Sequence, residues 1–154
     1  YLRHDFSSRV QQAFAALPAD WDLVHFGFNT DSVLNIEFLP DCRLEGRFSV
    51  DHPSRGDCLR FTRGTGQVSL SRLHNLLGRC AYSVSPKGAQ RLIEGCFPLT
   101  TRPVRVPGFP GGHLYPHSGD GVMNGLYRGM EAYVCLPPIA MPANDKTVST
   151  VNSP

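Results

Sequence analysis

The residues with the clearest chemical potential lie at the two ends of a proline- and glycine-rich stretch. At its far end Asp120 stands between Gly119 and Gly121, where the stretch from Thr100 to Gly119, with "TRPVRVPGFPGGHLYPHSG" as its last 19 residues, gives way to the start of a short helix. A carboxylate flanked by glycines can be approached by a bulky molecule and can accept a proton; the same residue can instead cap the helix it opens. His113 and His117, in the same loop, have the ring nitrogens to meet a phosphate or a metal, or simply face solvent. Upstream, "CAYSVSPKGAQRLIEG" holds Tyr82, Ser83 and Ser85 at a strand-to-helix junction. Hydroxyls and an aromatic face there suit a sugar, since ligands gather where strands end in layered sheets, and the long Pro/Gly segment is expected to deliver Asp120 to the same rim of the sheet. The alternative is a packed aromatic and an ordinary cap.

Definite elements must position these groups. Asp5 to Leu17 reads as a helix, with Phe6, Val10, Phe14 and Leu17 on one face and Asp5 or Ser7 as cap. Pro18 ends it, and "DWDLVHFGF" (Asp20 to Phe28) reads as a strand. Within it His25 is half-exposed or satisfied in the core, and Asp20 and Asp22 are turn or solvent residues. Cys80 to Val84 predicts a second strand. Ser85 then caps a helix with Pro86 in its first turn, Ala89, Leu92 and Ile93 as its buried stripe and Gly95 at its end. Lys87, in that first turn, either meets an anion or faces solvent. Asp120 to Arg128 predicts a short helix through Val122, Met123 and Leu126, and Ala132 to Leu136 a strand. The stretch from Asn29 to Arg79 is less periodic: "RFSV" and "CLRFT" suggest short strands, and "VSLSRLHNLLG" suits a helix or a strand equally.

Composition narrows the class. The 154 residues suffice for one domain with a real core. We divide the chain into 1–140, the folded part, and 141–154, a polar tail. A net charge of +2 does not argue for nucleic acid. The seven arginines from Arg43 to Arg79 lack the interleaved aromatics of a stacking surface, although they suit an anionic partner. No stretch approaches the ~18 apolar residues of a membrane span, and no basic-then-apolar leader is visible. Five cysteines without a C-x-x-C pair argue against zinc and point to a reducing compartment, with Cys80 and Cys135 as small core residues.

Three segments in order, "QQAFAALPADWDLVHFG", "CAYSVSPKGAQRLIEG" and "GDGVMNGLYRGMEAYVCLPPIA", resemble the family 25 glycosyltransferases. These are the lipooligosaccharide galactosyltransferases of Gram-negative bacteria and the related enzymes that glycosylate collagen. The match covers about half of the chain and nothing between Asn29 and Arg79. The resemblance implies an α/β layered fold of the GT-A type. It also implies inverting transfer of a hexose, usually galactose from a UDP-sugar, to a hydroxyl of a lipooligosaccharide or other glycoconjugate. It supports Asp120 as the candidate base, beside Tyr82, Ser83, Ser85, His113 and His117, whose positions alone make them the candidate substrate-binding residues. It implies a divalent cation, Mn or Mg, held by an acidic cluster just upstream of the first helix. This chain opens on Tyr1-Leu2-Arg3-His4-Asp5, immediately downstream of that position, so no metal ligand is assigned within it. The expectation is the C-terminal part of a larger enzyme, inactive by itself, placed in the cytoplasm or at the periphery of the inner membrane. The rival expectation is a non-catalytic carbohydrate- or partner-binding domain built on a transferase fold.

Overall fold

A computed structural model describes residues 1–30, 33–48 and 53–143. All but three residues of the expected polar tail therefore lie outside the described residues, as do Ser49 and Val50 of "RFSV". The chain forms α1 (Phe6–Ala16), β1 (Leu23–Gly27), β2 (Val33–Leu39), β3 (Cys42–Arg47), α2 (Arg55–Thr62) and β4 (Ser69–Leu76). There follow β5 (Ala81–Val84), α3 (Pro86–Cys96), β6 (Val104–Arg105), β7 (His113–Leu114), α4 (Gly119–Met123) and β8 (Ala132–Leu136). Six strands make one mixed sheet in the order β3-β2-β4-β8-β1-β5, and β6 and β7 pair separately within the long loop. The β1–β8 pair is parallel and the other pairs of the large sheet are antiparallel. The fold is thus α/β in content with a mostly antiparallel sheet.

Strand β1 is buried along its whole length because both of its faces are covered. Val24 and Phe26 point to the side where Phe6, Val10, Ala13 and Leu17 of the first helical segment pack, with Cys135 and Ile139. Leu23 points to the opposite side, with Cys96 of α3 and Val122 and Met123 of α4. The first helix packs through Phe6, Val10 and Leu17 of its predicted stripe, with Ala13 as its deepest residue; Phe14, expected in the stripe, is 40% exposed at its edge, its ring 5.8 Å from that of Phe26. Asp5 occupies the capping position, but its carboxylate accepts from Arg3 and Arg9 and caps no backbone amide.

Several expectations are corrected. "CLRFT" belongs to α2, because Ser54 and Asp57 form a reciprocal capping box: Ser54 Oγ accepts from the Asp57 amide at 3.1 Å and Asp57 Oδ2 from the Ser54 amide at 2.9 Å. Ile93 is 58% exposed; the face of α3 that packs is carried by Gly88, Leu92 and Cys96. Cys80 is exposed, whereas Cys135 is buried. The undecided "VSLSRLHNLLG" supplies β4, a strand with two partners. Its first half, Ser69–Arg72, pairs β8, and its second half pairs β2.

Candidate functional site

The β1–β5 ladder has two unlike ends, and the predicted site residues are distributed between them. The register runs from Leu23 opposite Val84 to Gly27 opposite Ala81. Ser85 therefore lies beyond the N-terminal end of β1. Asp120 lies beyond the other end, where its Oδ2 accepts from the Gly78 amide at 3.1 Å and the Asn29 amide donates to the Leu77 carbonyl at 3.2 Å. The expectation that Ser85 and Asp120 share one rim of the sheet is not met.

The Ser85 end is closed. Ser85 Oγ accepts from the Gly88 amide at 3.0 Å, and the Ser85 amide donates to the Asp22 carbonyl at 2.9 Å. A Cβ on Gly88 would lie 2.0 Å from that same carbonyl oxygen, so the helix rests directly on backbone. Asp22 is buried, contrary to expectation. Its carboxylate accepts from the Glu131 amide at 2.8 Å and from Arg91 at 2.6 Å, and Lys87 Nζ stands 3.2 Å away. Burial pushes this carboxyl up, but the Glu131 amide, Lys87 and Arg91 outweigh it and hold the group below the ordinary value. Lys87 therefore neutralises Asp22 and also donates to the Asp20 carbonyl; it is not a free anion ligand.

The middle of the ladder is aromatic. Tyr82 stands opposite His25 with ring centroids 5.6 Å apart, and Ser83 is half-buried opposite Val24. His25 is fully buried; its Nε2 meets the Tyr127 hydroxyl at 3.2 Å and its Nδ1 has no partner among the described residues. Burial, with the Arg79 charge, pushes His25 down to about 4, so the ring is neutral at physiological pH. Burial, with the Asp120 charge, pushes the Tyr127 phenol up.

The Asp120 end is open. A cleft of about 350 Å³ is lined there by Asn29, Tyr115, His117, Ser118 and Asp120 together with apolar loop residues. Asp120 Oδ1 accepts from Ser118 Oγ, and the Asp120 carbonyl accepts from Asn124 Nδ2 at 2.8 Å. Burial pushes the Asp120 carboxyl up, but Ser118, the Gly78 amide and the Arg79 guanidinium prevail, so it stays ionised below the ordinary carboxylate value. Gly78 offers its amide from a φ of +87°, and a Cβ there would lie 2.5 Å from the Asn29 side chain. A Cβ on Gly119 would lie 3.1 Å from an Arg79 nitrogen, so the guanidinium packs against Gly119 and its charge acts on Asp120 without a direct ion pair among the described residues.

The structure thus brings His117 to Asp120 and leaves Ser85 at the far end of the ladder. His113 is exposed in β7, its Nδ1 3.2 Å from the Gly111 carbonyl, and it does not line the cleft. Sequence reading missed Asn29, Arg79, Ser118 and Asn124. Asn124 had a usable signal, four residues after Asp120 and so on the same helical face. Among the described residues Asp120 is the only carboxylate lining this cleft and the positive charge of Arg79 acts on it, so the described lining does not fit the divalent cation. Among the described residues no group of three His, Cys, Asp or Glu is placed to hold a metal ion. No helix of the described residues is long and apolar enough to cross a membrane.

No family model, no curated protein and no solved structure matches this chain.

Proposed function

We propose that the chain is part of a GT-A-like hexosyltransferase, galactosyl transfer from a UDP-sugar being the first candidate, with its acceptor hydroxyl seated in the Asp120 cleft. The observation that carries this reading is an ionised carboxylate on the wall of an open cleft just past the C-terminal end of a fully buried strand. In an inverting transfer the acceptor oxygen attacks the anomeric carbon, the bond to the diphosphate breaks, and the nucleotide leaves with the electron pair. The acceptor proton goes to Asp120. Each carboxylate oxygen has a second lone-pair direction, so Oδ1 can take that proton beside Ser118 or in place of it. The Arg79 charge, which already acts on Asp120, would also favour a departing diphosphate. His117, lining the cleft, supplies a further hydrogen-bonding group. The cation that the resemblance implies would be held by residues other than those of this cleft, and no step here uses it.

The test is turnover of UDP-galactose by the intact protein with a glycan acceptor. Asp120→Asn lowers the rate about 10²–10⁴-fold if Asp120 takes the proton. Near-normal turnover in a folded variant would leave Asp120 as a structural anchor. One observation favours a second reading, a non-catalytic carbohydrate-binding domain: both Asp120 oxygens are already engaged by the protein's own donors. Saturable glycan binding without nucleotide-sugar turnover by the intact protein would select it.

A further inference from the structure

A second polar cavity lies on the β2–β3–β4 side of the sheet and shares no lining residue with the Asp120 cleft. Its volume is about 300 Å³, at the small end of ligand pockets, and it is lined by Glu37, Asp41, Arg43 and His74. Three independent features converge there. His74 is only 8% exposed, and among the described residues neither of its ring nitrogens has a hydrogen-bond partner. Orphaned polar atoms of this kind are rare, because burial without a partner forfeits the hydrogen bonds the group makes to water when exposed.

The second feature is how His74 comes to be there. Asn35 pairs with Asn75 and Ile36 with Leu73, so His74 is the extra residue of a β-bulge in β4. A bulge re-aims a side chain that regular pleating would send elsewhere. The third is backbone strain. Asp41, in the two-residue connection between β2 and β3, has φ +61°, a conformation in which glycine or asparagine is usual. Glu37 and Arg43 are direct cross-strand partners, yet among the described residues they form no ion pair.

The mixture of groups selects the ligand. Burial pushes the His74 ring down, Arg43 and Arg128 add to this, Glu37 opposes it, and Arg72 pushes down again. The ring is therefore neutral, with one N–H donor and one acceptor nitrogen. Arg43 supplies further donors, and Glu37 and Asp41 supply acceptors. An anion would meet two carboxylates, and a cation would meet a guanidinium. A neutral molecule carrying adjacent hydroxyls, each both donor and acceptor, satisfies every group at once. We infer that the Glu37–Asp41–Arg43–His74 cavity is a second binding site, one that takes a neutral hexopyranose through its hydroxyls. The ligand reaches the His74 nitrogens by displacing the ends of the long side chains that line the cavity.

The inference stands apart from the role of Asp120. It is tested by NMR titration of the full chain with methyl galactoside, methyl glucoside and inorganic phosphate, following the His74 ring nitrogens and the backbone amides. The expected result is a saturable shift at His74, Glu37 and Arg43 with at least one of the glycosides and none with phosphate. His74→Phe and, separately, Arg43→Gln weaken that binding ~10-fold or more, the size expected when a hydrogen-bonding site loses a partner. Arg43 is exposed, so its variant keeps the test valid if His74→Phe does not fold. A phosphate response as large as the glycoside response would overturn the neutral-polyol assignment. Glycoside shifts confined to Asn29 and Asp120, or no shift at all, would overturn the site and leave a cavity holding water.

Discussion

The two ends of the β1–β5 ladder are built from the same kinds of residue and end up opposite in character. Each has a serine at the start of a helix and an aspartate that accepts from a backbone amide while an arginine charge acts on it. At the Ser85 end the helix sits on the Asp22 carbonyl with no room for a methyl group, and the carboxylate is 0% exposed. At the Asp120 end the carboxylate is only partly covered and faces a cleft. What separates them is packing distance. Where the backbones touch, charge is spent on holding the fold; where a loop of glycines and prolines keeps them apart, a similar carboxylate stays available to a ligand.

The comparison can be broken or sharpened in order of effect. The largest change is expected at the open end, where Asp120→Asn lowers transfer by the intact enzyme ~10²–10⁴-fold while urea denaturation shows a loss of no more than about 1 kcal/mol. A collapse of stability instead would make the two ends alike. Next is Asp22→Ala, which leaves Lys87 and Arg91 without their buried counter-charge; a loss of about 3 kcal/mol in denaturation is expected. Gly88→Ala follows, at about 2 kcal/mol or more, since its new methyl meets backbone that cannot swing aside. Ser85→Ala is the mildest, about 1 kcal/mol for a lost cap, with glycoside binding unchanged. A Ser85→Ala protein of normal stability that binds sugar poorly would move Ser85 from scaffold to site.

Acid provides a separate readout of the closed end. The folded-state pKa of Asp22 lies below the ordinary 3.8. Its contribution is therefore complete above about pH 4 and is lost as the pH falls through the lowered folded-state value. Asp5, Asp57 and Asp120 are shifted the same way, so the acid limb is shared. The stability difference between the native protein and Asp22→Asn should shrink below pH 4; a constant difference down to pH 2 would show that the Asp22 charge is not what matters.

The elements legible in the sequence are those specified by near neighbours. The first helix, β1, the β5–α3 junction and β8 each carry their own apolar pattern, cap or stop. The Ser54–Asp57 box was equally local, but the apolar residues of "CLRFT" masked it. The β2–β3–β4 region was illegible for a different reason. β3 is exposed along nearly all its length, and bulges interrupt the register of β2 with both of its neighbours, so no period of two survives. The candidate site divides in the same way. Asp120 announced itself between glycines, but the Gly78 amide and Arg79 reach it only through the fold. Asp22 looked like a solvated turn residue because Arg91 lies 69 positions away in the chain.

Asn124 ties the C-terminal end of α4 to the end of β4. Asn124 uses its side-chain amide as a strand would use a peptide: Oδ1 accepts from the Leu76 amide and Nδ2 donates to the Leu76 carbonyl, both at 2.8 Å. Asn35 donates in turn to Asn75 Oδ1 at 3.1 Å. Every bond in this ladder is between neutral groups, so dissolved electrolyte has no charge there to screen. Concentrated brine should loosen the partly exposed Lys87 and Arg91 ties while the platform beneath Asp120 keeps its shape.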